Sequence, residues 1–378
     1  MPDSMQRSSR PRVLRMMRTP LLLLAWTVVA ALVTPAPAAR ASGSASADPT
    51  TIDVIREASV HWTRGAPEIR DGDGYVVRHH GQTIEQTFAA PARPATPADQ
   101  QRIVLRVDVT PIQSEHDGRE RPNDLWTRLG SICVTDPSRD EAEVELMRFV
   151  TGFGAAASFE EDVTAFAPLL HDEVTLRARI STYSDRPGWT ISVRLTYDTS
   201  GVGARRPLVA RPLMSNPHVT ASSHTLRAVT VIPAETGTPR LRVLSTGHAT
   251  DGIGANEFIS STHVLRVDGV EVARWRPWRA GDGTGRARNP YSGRWTIDGR
   301  EVWSSELDRS GWAPGQSVEP TIIPVPELSP GRHEIELEIL GIRAAEGGSE
   351  ADGPGPHGYW VVSVVLVADG LWETAEQP

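Results

Sequence analysis

The amino-acid sequence predicts an all-β protein built as two antiparallel β-sandwich domains of the jelly-roll kind. Three observations lead there. Short runs alternating apolar with polar side chains recur along the chain, the pattern of strands with one buried face. Gly and Pro, 32 and 30 of the 378 residues, punctuate those runs at the spacing of sandwich turns. Helix signals are scarce, and the length suits two domains.

The chain opens with the three parts of an export signal. Arg7, Arg10, Arg12, Arg15 and Arg18 form a positive region, Leu21–Val33 an apolar stretch, and Pro35–Ala41 a small-residue end with Ala36/Ala38 or Ala39/Ala41 at the recognised positions. The apolar stretch is shorter than the ~20 residues that cross a bilayer. Residues 1–41 are therefore expected to be a cleaved signal peptide, and the mature protein to be secreted, extracellular and free of membrane. Removing their six arginines and one aspartate takes the formal net charge from −8 to −13. So acidic a surface argues against nucleic acid and anionic membrane as partners. Every basic side chain is Arg rather than Lys, the codon bias of a GC-rich bacterial genome.

Strands are expected at Ile103–Val109, Glu143–Phe149, Val174–Ile180 and Thr190–Tyr197 in the first half. In the second half they are expected at Leu226–Ile232, Pro239–Ser245, His263–Val267, His333–Leu340 and Tyr359–Val367. Phe159–Leu170 (FEEDVTAFAPLL) is the best helix signal, although Pro168 interrupts it. The Gly-rich segment Asp198–Pro207 divides the chain into domains at 50–200 and 206–370, with a polar loop at 345–356 and a tail at 371–378. The single cysteine, Cys133, lies in a strand-like run and reads as a small buried apolar residue.

Thr246 to Gly315 is the stretch with most chemistry in it. Gly247-His248, Asn256-Glu257-Phe258, Thr262-His263, Trp278-Arg279, Asn289-Pro290 and Gly293-Arg294-Trp295 lead to Asp308-Arg309-Ser310-Gly311-Trp312-Ala313-Pro314-Gly315. A carboxylate set among Trp and Arg suits carbohydrate, because aromatic faces stack on sugar rings while Arg and Glu bond hydroxyl and acetamido groups. Any one of these side chains alone reads as core or as solvated surface; the set does not.

That order of motifs resembles the C-terminal domain of the peptide-N-glycosidase F family, amidases that release N-linked glycans from asparagine. In the first half, Asp124-Leu125-Trp126-Thr127-Arg128 resembles the family's Asp-x-Trp-Asp-Arg. The resemblance implies two jelly rolls side by side, with the active site in a groove between them. It places the family's second-domain glutamate on Glu257, its active-site arginine on Arg309 and the neighbouring tryptophan on Trp312. It places the principal catalytic aspartate on Thr127 and a third acidic residue near Ser181, so two carboxylates are replaced by hydroxyls. Asp124, Glu120 or Asp117 is a substitute acid only if its loop has shifted, and Asp124 also reads as the cap of the turn beside Trp126. Trp126, Arg128, Trp312, Asp308 and His248 are the expected substrate contacts. The expected partner is an N-glycan or glycopeptide, bound by a monomer without cofactor or metal.

Two functions stay open at this point: an amidase on N-glycans, and a glycan- or glycoprotein-binding module without catalysis. A copper oxidoreductase on a related double jelly roll is a third, supported only by fold analogy. His79-His80 sits poorly with it, since adjacent strand residues point to opposite faces. Asp71-Gly72-Asp73-Gly74 lacks the remaining ligands of a calcium loop and reads as a hairpin turn. Ser222, Ser223 and His224 offer no nucleophile elbow.

Overall fold

A computed structural model describes residues 48–370, apart from 67, 71–73, 97–98, 141, 185, 200–205, 249–255, 282–284 and 344–357. The expected signal peptide, the Asp71–Asp73 turn, the 345–356 loop and the tail lie outside the described residues, as does most of the Gly-rich boundary segment. The described part belongs to one compact unit.

Two antiparallel jelly-roll sandwiches make up that unit. In the first, Thr50–Val60, Trp189–Asp198, Arg102–Pro111 and Ala157–Asp162 pair in that order to form one sheet. The opposite sheet runs Ile69–Arg70, Val76–Arg78, Thr83–Ala89, Glu173–Ile180, Leu129–Asp136, Ala142–Val150 and finally Gln316–Ser317, a strand lent by the second half. Between them lies a core that includes Ile103, Leu105, Val107, Ile191, Val193, Leu176 and Ala178. These are the inward positions of alternating strands, as period-2 patterning requires.

The second sandwich pairs Arg206–Val219, Tyr359–Gly370, Arg240–His248 and Thr321–Pro324 in one sheet. Thr225–Ile232, Gly331–Leu340, Thr262–Val267 and Val270–Trp275 form the other. The central strand Tyr359–Gly370 is apolar on both faces for a physical reason. Val364 and Leu366 enter the second core while Val365 and Val367 enter the first, so the strand is buried on both sides.

The sandwiches are tied together by arginines reaching in opposite directions. Arg148 donates to Thr246 Oγ1 at 3.1 Å and to the Val361 carbonyl at 2.6 Å. Arg242 donates back to the Leu146 carbonyl at 2.9 Å and to Glu161 at 3.1 Å. Asn289, fully buried, accepts from Phe153 N–H at 2.8 Å and donates to the Gly285 carbonyl at 2.7 Å. A small apolar cluster of Val150, Leu244, Trp312 and Val318 fills the seam beside them.

Two expectations are corrected. Phe159–Leu170 is not a helix: its start belongs to the strand Ala157–Asp162, and Thr164–Leu169 is a short 3-10 turn containing Pro168. Ser158, Glu160 and Asp162 alternate outward around the buried Phe159, a strand period mistaken for the polar face of a helix. Cys133 is half-buried and faces a cleft rather than the core, where burial raises its thiol pKa well above the ordinary value.

Candidate active-site cleft

A cleft of about 950 Å³ opens between the sandwiches, walled by residues from both. Its second-half wall is set by a 3-10 turn, Asn256–Phe258. Asn256 is fully buried and clamps the backbone of Arg343, accepting from its N–H at 2.9 Å and donating to its carbonyl at 2.8 Å. The fixed turn presents Glu257 to the cleft, where its Oε1 accepts from Arg309 Nε at 2.8 Å.

Arg309 has no exposed surface. Its remaining nitrogens donate to the Leu307 carbonyl at 3.0 Å and to Ser304 Oγ at 2.9 Å. Phe258 and Trp312 face the guanidinium at 5.0 and 4.9 Å, so it lies between two rings. Burial opposes the charge on Arg309, and the adjacent Glu257 is what compensates. Gly311 makes the turn possible. It adopts φ +81°, and a Cβ there would stand 2.5 Å from the Ser245 carbonyl oxygen.

Trp312 is held from behind by its indole N–H donating to the Gly247 carbonyl at 2.8 Å. His248 stacks on it at 5.5 Å and on Tyr359 at 5.6 Å, and its Nε2 lies 2.8 Å from Thr246 Oγ1. Burial, with a smaller contribution from Arg148, lowers the His248 pKa to about 3. It is a neutral stacking residue at physiological pH.

On the first-half wall, Trp126 is 67% exposed and Tyr183 is 62% exposed, large apolar surfaces left to solvent at the cleft. Arg128 lies 5.6 Å from the Tyr183 ring and bonds Asp124 at 2.7 Å. Thr127 and Ser181 both line the cleft. Trp295, on the hairpin Arg294–Ile297/Arg300–Trp303, reaches the opposite rim beside Phe258.

Models of peptide-N-glycosidase F match this chain in two places: the N-terminal model over residues 127–197 and the C-terminal model over residues 217–367. The chain belongs to the peptide-N-glycosidase F family.

The fold is similar to that of PNGF-II in two crystal forms. In one, the TM-score is 0.72 and identity 19%, covering 87% of this chain and 66% of that one. It is also similar to PNGase F, a glycosylasparaginase from Flavobacterium meningosepticum, with a TM-score of 0.63 and 18% identity over 85% of this chain and 96% of that one. This chain thus spans about two thirds of PNGF-II and nearly all of the Flavobacterium protein. A sequence search of curated proteins returns no match.

Of the residues singled out from the sequence, Glu257, Trp312, His248, Trp126, Thr127, Arg128 and Ser181 come together in the cleft, with Arg309 bonded to Glu257 behind them. Two do not line it. Asp308 is exposed elsewhere and holds a loop, accepting from Gly281 N–H at 2.7 Å and Trp278 Nε1–H at 3.3 Å. Asp124 is buried behind the wall, its side chain 1% exposed. Its carboxylate accepts from Arg128 Nε, from Thr182 Oγ1–H at 2.6 Å and from Trp126 N–H at 3.2 Å. Asp117 and Glu120 sit on the hairpin Gln113–His116/Arg119–Pro122, also outside the cleft lining.

The floor of the cleft was missed from the sequence. Glu143, Glu145, Arg148, Arg177 and Arg179 all face it. Arg148 gets there through a β-bulge: Ile132 pairs with Met147 but Cys133 with Glu145, leaving Leu146 as the extra residue. Glu145 and Arg148, three apart, consequently share a face and form a bidentate pair at 2.8 and 2.7 Å. The signal was present in the apolar doublet Leu146-Met147, which breaks the alternation of that strand.

Proposed function

We propose that the cleft binds the sugar–asparagine junction of N-linked glycoproteins and that this member of the family no longer hydrolyses it efficiently. The observation that carries the reading is Thr127. It lines the cleft at the position where the resemblance puts the principal catalytic carboxylate, and a threonine hydroxyl is too weak a base to activate water near neutral pH. Among the described residues of this wall, the nearby carboxylates are already engaged: Asp124 by three donors, Glu143 by Arg177 and Glu145 by Arg148. Loss of a positioned general base lowers rate by ~10²–10⁴.

Recognition keeps its equipment in this reading. Trp126, Tyr183 and Trp295 offer ring faces for sugar stacking, worth about 0.5–1.5 kcal/mol each beyond their burial. Glu257 and Arg128 supply the acceptor and donor that hydroxyl and acetamido groups need. Arg309 acts through Glu257 as its positioning residue. The chain is proposed to meet this ligand outside the cell, from the charge and apolar pattern of residues 1–41, and to act there as a monomer.

A slow amidase is the second reading, and the Glu257–Arg309 pair favours it. A carboxylate in the cleft, oriented by a buried cation, is capable of holding a water against the amide. Titration of an N-glycopeptide against the protein, followed by tryptophan fluorescence, tests the binding claim. Saturable binding lost on Glu257→Gln and Trp126→Ala supports it, and absence of binding by the intact protein contradicts it.

A further inference from the structure

The cleft floor contains two arginines on one strand with opposite surroundings. Arg177 and Arg179 lie two residues apart on Glu173–Ile180, so both project to the same face about 7 Å apart. Arg177 is neutralised: its Nε bonds Glu85 at 2.6 Å and its Nη1 bonds Glu143 at 2.9 Å. Arg179 is not. Its Nε is buried without a hydrogen-bond partner, and among the described residues no carboxylate pairs with it.

What flanks Arg179 is neutral and hydrogen-bonding. Thr83 is its register partner on one neighbouring strand and Ser131 on the other, and both line the cleft. His79, whose Nδ1 lies 3.1 Å from Thr83 Oγ1, completes that side. Burial, and then the positive charge of Arg179, lower the His79 pKa, which keeps the imidazole neutral. Ser181, just past the end of that strand, lines the cleft on the same wall as Thr127. The other cleft arginines each hold a carboxylate: Arg128 with Asp124, Arg148 with Glu145, and Arg294 with Glu301.

From this arrangement we infer that Arg179, with Thr83 and Ser131, forms a subsite for an anionic substituent on a bound sugar, either a carboxylate or a phosphate ester. A planar guanidinium with unused donors, framed by hydroxyls in a cleft, matches either group, and a charge half-removed from water gains from a counter-ion that the protein does not supply. The subsite lies next to Ser181 on the cleft floor, so an acidic unit of the glycan seats there while the reducing end lies against Glu257. The inference rests on the glycan-binding reading only for what delivers the anion.

The test is titration calorimetry with four probes: a sialylated biantennary N-glycan, the same glycan desialylated, a glycan phosphorylated on mannose, and free N-acetylneuraminic acid. Wild type is expected to prefer one of the acidic glycans over the neutral one by about tenfold or more, as a charge-assisted bond is worth. Arg179→Gln abolishes the preference without weakening the neutral glycan. Ser131→Asp, which places a carboxylate beside an intact Arg179, abolishes it too and guards against misfolding of the first variant. Preference for the sialylated or for the phosphorylated glycan identifies which anion is taken. Should no glycan bind while free N-acetylneuraminic acid binds wild type but not Arg179→Gln, the subsite stands and the glycan reading falls. Equal affinity for all three glycans, unchanged in both variants, overturns the subsite and leaves the glycan reading intact.

Discussion

Asp124 Oδ2 accepts from Arg128 Nε at 2.7 Å, four residues along the same loop, and that pair fixes the stretch carrying Trp126 and Thr127. The Trp126 amide and the Thr182 hydroxyl complete the carboxylate's partners. Asp124 is therefore a loop anchor. Asp124→Asn is expected to lower stability by about 3 kcal/mol, the lower end for breaking a buried pair, because Arg128 loses its counter-ion. Urea unfolding measures this. A variant of unchanged stability with selectively altered chemistry would instead make Asp124 the substitute acid.

Arg309 and Glu257 form the equivalent anchor on the other wall. Arg309→Met removes three hydrogen bonds, one of them the charge-assisted bond to Glu257, and is expected to destabilise by about 3–5 kcal/mol. Glu257→Gln keeps an acceptor but leaves the buried guanidinium without its counter-ion, and is expected to cost about 3 kcal/mol, the lower end of the same range. Thermal melts of the two variants measure both losses.

The second-half wall was legible in the sequence and the first-half floor was not, for a physical reason. Glu257, Arg309 and Trp312 are fixed by local turns whose own residues stand close to them, so the order of those residues betrays them. Arg148, Arg177 and Arg179 occupy alternating strand positions that are indistinguishable from a solvated sheet face. Only the second sandwich, packed across that face, turns them into a cleft wall, and alternation holds no record of a partner 100 or more residues away. Asp308 shows the converse limit: it stands beside Arg309, yet the extended backbone sends the two side chains to opposite sides.

The strands themselves were found where alternation is clean, as in Val174–Ile180 and Thr190–Tyr197, both inside observed strands. Thr50–Val60 and Thr83–Ala89 were not found. Register shifts in Thr50–Val60 break its alternation, and a buried run of Thr83, Ile84 and Glu85 hides it in Thr83–Ala89.

His263 is buried with its Nε2 2.7 Å from Ser245 Oγ, and burial lowers its pKa to about 3, as it does for His248. The folded pKa lies below the ordinary 6.5, so the unfolded chain takes up these protons first as pH falls. Stability is therefore expected to drop between pH 6.5 and 3, by up to about 1.4 kcal/mol per pH unit for each such histidine. Unfolding at pH 7 and pH 5 checks this, and His263→Asn should flatten the slope.

Arg148 and Arg242 cross the seam in opposite directions, which makes the two sandwiches cooperative. Arg242→Met leaves the Leu146 carbonyl and Glu161 without this donor, and should split a single calorimetric unfolding transition into two. One sharp transition in the variant would mean that the apolar seam alone couples them.

Trp126 contributes exposed surface rather than packing. Trp126→Ala should leave stability within about 0.5 kcal/mol while lowering glycopeptide affinity three- to tenfold, about the worth of one lost stacking face.

The account's central claim is that an intact recognition cleft lacks its base at Thr127. Mass spectrometry of an N-glycopeptide incubated with wild type, Thr127→Asp and Glu257→Gln tests it most directly. The account predicts negligible conversion of Asn to Asp by wild type, and conversion that rises by about a hundredfold or more in Thr127→Asp. Efficient conversion by wild type, unaffected by Thr127→Asp and abolished by Glu257→Gln, would contradict it.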